Sequence, residues 1–176
     1  RGQSKTYSAL PTATLSIKNV TFTYPGGEDP ALNTVSLKVE PGESVGLVGP
    51  SGSGKSSLIA IIAGFLDPDT GEIKINNESL KQWTLAKRRR QISLVGQQVN
   101  LFDATVAENI RFGWPDATDD EIREAADQAN ALKFIESLPD GFDTQIGSFG
   151  NRISGGQRQR IAIARAFIKD APILLL

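Results

Sequence analysis

The chain has 176 residues, the length of about one domain, and its 39% hydrophobic and 22% charged residues are typical of a soluble globular core. Its net charge of −1 argues against broad electrostatic binding to nucleic acid or anionic lipid. It has no cysteine, which excludes disulfides and thiolate metal sites, and its longest apolar run, residues 58–66, is far shorter than the ~20 residues that span a bilayer.

The N-terminal half is predicted to consist mainly of β-strands. Apolar residues alternate with polar ones, and Pro-Gly pairs mark turns between the segments. In chain order, the pattern predicts a linker at residues 1–14, strands at 15–24, 35–39 and 44–48, and a helix at 55–65. The third strand is continuously apolar and leads directly into a glycine-rich loop before the helix.

The second half is predicted to be richer in helices. Thr118 and Glu121 have the spacing of a capping box, which predicts a helix start between them. The predicted elements are strands at residues 71–75 and 92–95, helices at 85–90, 119–129, 132–138 and 158–168, and a final apolar strand at 171–176. The order indicates an α/β core with an inserted helical region.

The glycine-rich loop before the first long helix matches the pattern G-x-x-x-x-G-K-[ST] without a mismatch. It consists of Gly49, Pro50, Ser51, Gly52, Ser53, Gly54, Lys55 and Ser56, and Ser57 follows. Glycines let backbone N–H groups converge on phosphates, and the helix presents its positive end.

Lys55 is expected to contact the β- and γ-phosphates and Ser56 to offer its hydroxyl to Mg²⁺. Ser53 and Ser57 are expected to add hydrogen bonds. The alternative is a flexible Gly/Ser loop, which the flanking strand and helix disfavour.

A second glycine-rich segment, Ser154, Gly155, Gly156 and Gln157, precedes the last helix. Ser154 and Gln157 have capping-box spacing, which by itself is a structural feature. A cap does not need paired glycines, however, and exposed N–H groups at a helix start form an anion site. The segment is therefore predicted to bind an anion as well as to cap the helix.

These motifs together resemble the nucleotide-binding domain of ABC transporters over residues 15–176. The resemblance identifies residues 49–57 as the Walker A loop, residues 153–157 as the signature with Ile in place of Leu, and residues 171–176 as the Walker B strand. Tyr24 would stack on adenine; the alternative is an aromatic residue that only ends a strand. Gln97 would be the Q-loop glutamine that reaches Mg²⁺ and the attacking water; the alternative is an ordinary polar loop residue.

The resemblance implies an α/β fold, a P-loop NTPase (RecA-like) core with an N-terminal antiparallel β region and an inserted helical subdomain at roughly residues 98–168. Residues 101–110 are most similar to exporters of the lipid-flippase and multidrug group. The family relationship implies ATP and Mg²⁺ as cofactors, with Lys55 and Gln97 as catalytic residues. It also implies a head-to-tail pair of domains and a transmembrane domain that holds them at the cytoplasmic face of the membrane. One departure is residues 144–150, which lack the Glu and Arg that exporters use against their coupling helices.

Both ends of the chain point to a longer parent protein. There is no methionine, and the chain ends in the apolar residues of the Walker B strand. In the family an Asp and a Glu follow that strand, and a switch histidine comes later, whereas this chain has no histidine. The 176 residues are therefore expected to bind ATP without steady-state phosphate release, while the parent protein hydrolyses it.

Two other classes of function remain open at this point. A soluble ABC ATPase of chromosome maintenance would need a coiled coil between the two glycine motifs, but only 98 positions separate Ser56 from Ser154. A translation factor with two such domains is not excluded. The second alternative is a nucleotide-binding module without catalysis.

Overall fold

The computed structural model describes residues 12–147 and 152–176, and most predicted strands and helices are present in it, with the exception of the strand at 44–48. The strands are β1 (Leu15–Phe22), β2 (Leu32–Val39), β3 (Thr70–Ile75), β4 (Glu78–Ser79), β5 (Ile92–Leu94) and β6 (Ile173–Leu175). The helices are α1 (Lys55–Ala63), α2 (Leu85–Gln91), α3 (Val106–Arg111), α4 (Asp119–Gln128), α5 (Leu132–Glu136) and α6 (Gly155–Ile168). The chain divides into a first unit, Arg1–Ile92, and a second unit, Ser93–Leu176. Most of the predicted linker at residues 1–14 lies outside the described residues.

The first unit is built on an antiparallel sheet with strand order β2-β1-β3-β4. In β1, Leu15 and Ile17 are buried before a register shift, and Val20 and Phe22 are buried after it. Asn19, with a φ of 48°, lies within that shift. The extra residue moves the buried positions from odd to even numbers, so that one face of β1 stays in the core along its whole length.

Residues 44–48 do not form the predicted strand. No strand is assigned there, and Val48 is 93% exposed. No described strand pairs with these residues, so their backbone N–H and C=O groups make no hydrogen bonds within a β-sheet. A continuous apolar run forms a buried strand only when neighbouring strands supply hydrogen bonds and both faces are covered. The predicted strand at residues 44–48 was wrong because apolar side chains alone do not supply a neighbouring strand for hydrogen bonding.

The final strand is also less buried than its sequence indicates. β6 pairs with β5 in a two-stranded sheet, and the Val95 N–H donates to the Leu175 carbonyl at 2.9 Å. Ile173 and Leu175 are buried, whereas Leu174 is 39% exposed. One side of β6 is therefore covered and the other is open.

The second unit is a helical cluster in which α3 and α4 both pack on α6. The predicted buried face of α6, formed by Ile161, Ala164 and Ile168, is confirmed at 0–2% exposure. Capping boxes start α3, α4 and α6, and that of α4 uses Thr118 and Glu121 as predicted. None of the helices in the described ranges has the length and hydropathy of a bilayer-spanning segment.

A buried polar network organises the second unit. The Asn109 side chain is fully buried; it accepts from the Phe102 N–H at 2.8 Å and donates to the carbonyls of Phe102 and Thr105. Arg165 donates to the Asn109 carbonyl and side-chain oxygen and to the Asn100 carbonyl, at 2.8–3.1 Å. Burial lowers the pKa of the Arg165 guanidinium, which nevertheless stays charged in the neutral range. The network joins α6 to α3 and to the loop before it.

We expect Asn109→Ala to destabilise the second unit by about 2–3 kcal/mol, because buried donors on Phe102 and Arg165 lose their acceptor. Urea unfolding can follow this unit through Trp114 in a Trp83→Phe background, where Trp114 is the only tryptophan. The control Asn100→Ala keeps the carbonyl that Arg165 uses and should change stability by less than about 0.5 kcal/mol. Equal effects of the two substitutions would show that the network does not hold the unit together.

Candidate functional site

The phosphate loop ends in a helix start that has no side-chain cap. α1 begins at Lys55, with Gly54 as the preceding residue, and its first turn has no acidic residue. The N–H groups of the first helical turn have no partner within the helix, and the helix dipole makes this end positive. An anion is therefore the natural partner for this end of α1.

Lys55 folds back over the loop that precedes it. Its ammonium donates to the carbonyl oxygens of Gly49 at 2.8 Å and Pro50 at 2.7 Å, and to the Ser53 hydroxyl at 3.2 Å. The Ser53 N–H closes a turn onto the Pro50 carbonyl at 3.3 Å. These bonds hold the loop in a compact form around one positive charge.

Gly54 is the point where the loop contacts the start of β2. Its φ of 85° lies in the left-handed region, and a Cβ there would be 2.3 Å from the Ala31 carbonyl oxygen and 2.7 Å from a Leu32 methyl group. Any other residue would be strained and would also collide with backbone. Gly54 therefore sets the position of the phosphate loop relative to the sheet of the first unit.

Tyr24 also contacts this helix start. A hydrogen bond of 3.0 Å joins the Tyr24 hydroxyl to the Ser57 hydroxyl in the first turn of α1. The aromatic rings of Tyr24 and Phe22 contact each other edge to face, with ring centroids 4.9 Å apart and ring planes at 78°. The structure thus brings the predicted adenine-stacking residue to the predicted phosphate loop. Sequence reasoning selected both residues but had no signal for the bond between them.

Ser51, Gly52 and Ser56 are exposed on the loop and the helix start. The described residues contain no group of three or more His, Cys, Asp or Glu that could hold a metal ion. The Ser56 hydroxyl is a hard oxygen donor of the kind that Mg²⁺ accepts, and Mg²⁺ commonly takes its other ligands from phosphates and water. The loop is thus chemically suited to Mg²⁺ only together with a phosphorylated ligand.

The second predicted anion site lies in the second unit, at the start of α6. The Ser154 N–H donates to the Gln157 side-chain oxygen at 2.8 Å, and the Gln157 N–H donates to the Ser154 hydroxyl at 3.3 Å. A Cβ on Gly156 would meet nothing within 4 Å, and one on Gly155 would only touch the Arg158 guanidinium at 3.7 Å. Packing against the described residues therefore does not require glycine at either position.

The predicted site residues fall into two groups. Tyr24 and residues 49–57 lie together in the first unit, whereas Gln97 and residues 154–157 belong to the second unit. Gln97 is exposed in the loop that follows β5. Residues 148–150, part of the segment that lacks the expected Glu and Arg, lie outside the described residues.

Comparison with known proteins identifies relatives across almost the whole chain. Residues 32–176 match the model of the ABC transporter family. An ATP-dependent lipid A-core flippase of Chromobacterium violaceum is 50% identical over 96% of this chain, and that of Dechloromonas aromatica is 55% identical over 89%. The flippase of Escherichia coli K12 is 49% identical over 94% of the chain.

A solved structure shows the same fold. A bacterial Atm1-family ABC exporter with ATP bound superimposes with a TM-score of 0.88 and 36% sequence identity over 95% of this chain. The chain spans only 27–29% of the length of these flippases and 29% of that exporter. The fold is therefore that of an ABC ATPase domain, a P-loop NTPase with an antiparallel sheet and helices, as the sequence predicted. Because the family model covers most of its residues, the chain belongs to the ABC transporter family.

Proposed function

We propose that this chain is the ATP-binding part of an ABC exporter that couples ATP binding and hydrolysis to movement of a lipid across a membrane. The observation that carries the proposal is the uncapped start of α1, with Lys55 beside it and no acidic residue in the first turn. The similar flippases are described as ATP-dependent and as acting on lipid A-core, which favours a lipid substrate over drugs or peptides and favours an exporter over a soluble ABC ATPase.

A triphosphate would bind by replacing the contacts that Lys55 makes within the loop. The carbonyls of Gly49 and Pro50 are neutral acceptors, whereas phosphate oxygens carry charge. An ammonium is attracted to a charged phosphate oxygen by the Coulomb interaction of two full charges, which it lacks with a neutral carbonyl. The ammonium would therefore turn from the loop carbonyls to the β- and γ-phosphates, while loop N–H groups hold the remaining oxygens.

Mg²⁺ would be held by the Ser56 hydroxyl, with Gln97 as a second oxygen donor. Bound to the phosphates, the ion supplies charge neutralisation for phosphoryl transfer. Ser56 is exposed beside Lys55, which is consistent with this role. Gln97 would in addition orient the attacking water.

The paired glycines of α6 support a second proposal, that this surface receives the ATP held by another nucleotide-binding domain. Gly155 and Gly156 are exposed at a helix start with no acidic residue in its first turn. A site divided between two domains gives a head-to-tail pair that closes on ATP and opens after hydrolysis.

The remaining partner would be a transmembrane domain, which would place this chain at the cytoplasmic face of the inner membrane. In this proposal residues 1–14 link to that domain, residues 15–176 form part of the ATPase domain, and residues 98–168 are its helical subdomain. Phe102 and Phe112 are 47% and 63% exposed, with ring centroids 4.4 Å apart and the Arg165 guanidinium over both rings. An exposed aromatic pair held by a half-buried cation is a suitable contact surface for that domain.

Lys55→Ala is expected to weaken ATP binding at least tenfold, since Lys55 is the only charged residue of the loop at residues 49–57. ATP-dependent thermal stabilisation measures the change, because a ligand that binds only the folded state raises its stability. Lys38→Ala is the matched control: Lys38 is an exposed lysine of the same unit whose ion pair with Glu40 contributes little. An unchanged ATP effect in Lys55→Ala would remove the phosphate loop from the proposal.

Gly156→Ala separates the fold of α6 from its proposed contact with a partner. Since a Cβ fits without contact, the folded chain should be unchanged or more stable by about 0.5–1 kcal/mol. ATP-driven self-association, followed by sedimentation velocity, should nevertheless weaken because the methyl group blocks close approach. The exposed α4 substitution Gln128→Ala serves as control. ATP-driven pairing at the wild-type level in Gly156→Ala would contradict the proposed role of this helix start.

A further inference from the structure

We propose that Ser57 is a positioning residue for nucleobase recognition: its buried hydroxyl holds the Tyr24 ring so that one face is ready to receive adenine. The inference rests on the proposed function, in which the chain binds ATP. Ser57 is only 6% exposed, whereas Tyr24 is 47% exposed. The ring is thus anchored at its hydroxyl and open elsewhere.

Two side-chain contacts restrict the Tyr24 ring, and one backbone hydrogen bond holds the Tyr24 main chain. Phe22 meets the ring edge to face at 4.9 Å, and the Gly27 N–H donates to the Tyr24 carbonyl at 2.8 Å, which closes the turn behind it. The hydrogen bond to Ser57 then fixes the far end of the side chain at 3.0 Å. A half-exposed tyrosine without that bond is free to change rotamer, and ordering it on ligand binding costs free energy. A ring that is already ordered avoids this cost and binds more tightly.

The position of Ser57 on α1 explains how the Tyr24 ring and the phosphate loop are held at a fixed distance from each other. Ser57 is in the same first helical turn as Lys55, and that turn follows Gly54, whose backbone abuts Ala31. The strand end that carries Tyr24 and the segment that leads into β2 therefore contact one helix start at two separate points. The distance between an aromatic platform and a phosphate site is set by this double contact.

The same geometry gives the hydroxyl of Ser57 a partner within the chain. The sequence pattern predicts that it hydrogen-bonds a phosphate, but here its oxygen is directed at the Tyr24 hydroxyl. The two roles make opposite predictions for a ligand that has phosphates and no base. A positioning residue affects only the ligand with the base, whereas a phosphate contact affects both.

The test is a double-substitution cycle read with two probes, MgATP and inorganic tripolyphosphate with Mg²⁺, by titration calorimetry. Tyr24→Phe keeps the ring and removes the hydroxyl; Ser57→Ala removes the hydroxyl that bonds to it; Ser57→Thr keeps a hydroxyl.

We expect Tyr24→Phe and Ser57→Ala each to weaken MgATP binding about 3- to 10-fold, the net contribution of one hydrogen bond. The double variant should be no weaker than either single variant, since both remove the same bond. Ser57→Thr should restore affinity, and tripolyphosphate should bind all variants equally.

The outcomes distinguish the inference from the function on which it rests. If the wild-type chain binds neither probe, the proposed function fails. If it binds MgATP but Ser57→Ala weakens both probes equally, Ser57 is a phosphate contact and the inference is overturned. Additive losses in the double variant, or full MgATP affinity in Tyr24→Phe, also overturn it. Tyr24→Phe changes only the hydroxyl of a half-exposed side chain, so it decides the matter even if Ser57→Ala folds poorly.

Discussion

The open N-terminal end of α1 is the constraint on which the candidate site depends. Its first-turn N–H groups lack both an internal partner and a side-chain cap, and the first turn has no acidic residue. Three other helices, α3, α4 and α6, start with capping boxes, whereas α5 also lacks a side-chain cap. The N-cap of α1 is Gly54, and a glycine in place of a capping side chain costs only roughly a few tenths of a kcal/mol. That cost is consistent with a helix start that is completed by a ligand.

The surrounding structure holds this helix start rather than covering it. Gly54 abuts Ala31, and Ser57 bonds to Tyr24, so two parts of the N-terminal β region contact the loop without closing it. Lys55 meanwhile satisfies its ammonium with loop carbonyls. Such contacts keep a binding loop close to its working geometry while leaving the charged group able to exchange partners.

The second unit uses a different arrangement around the start of α6. Its cap is satisfied within the chain by Ser154 and Gln157, yet the glycines beside them meet almost nothing. The helix is anchored at its other end by Arg165, whose bonds to Asn109 join it to α3. A firmly held helix with a bare N-terminal surface is suited to contact with a separate molecule, because the exposed backbone stays in place without the partner.

The sequence by itself determined the features that are local. The capping boxes at Thr118 and Ser154, the helix that starts at Lys55 and the buried face of α6 follow from spacing and periodicity, which act over a few residues. The P-loop fold class followed from the glycine motifs and the helices that follow them, and the comparisons agree with it.

Only the tertiary structure decided what depends on distant residues. The exposure of residues 44–48 shows that apolar composition makes a strand only where another strand is available to pair. The bond from Tyr24 to Ser57 joins residues 33 positions apart, and the Asn109–Arg165 network joins residues 56 apart. No periodicity encodes such contacts, because they arise from packing of whole elements, and they are what turns a phosphate-binding motif into a site with a place for the base.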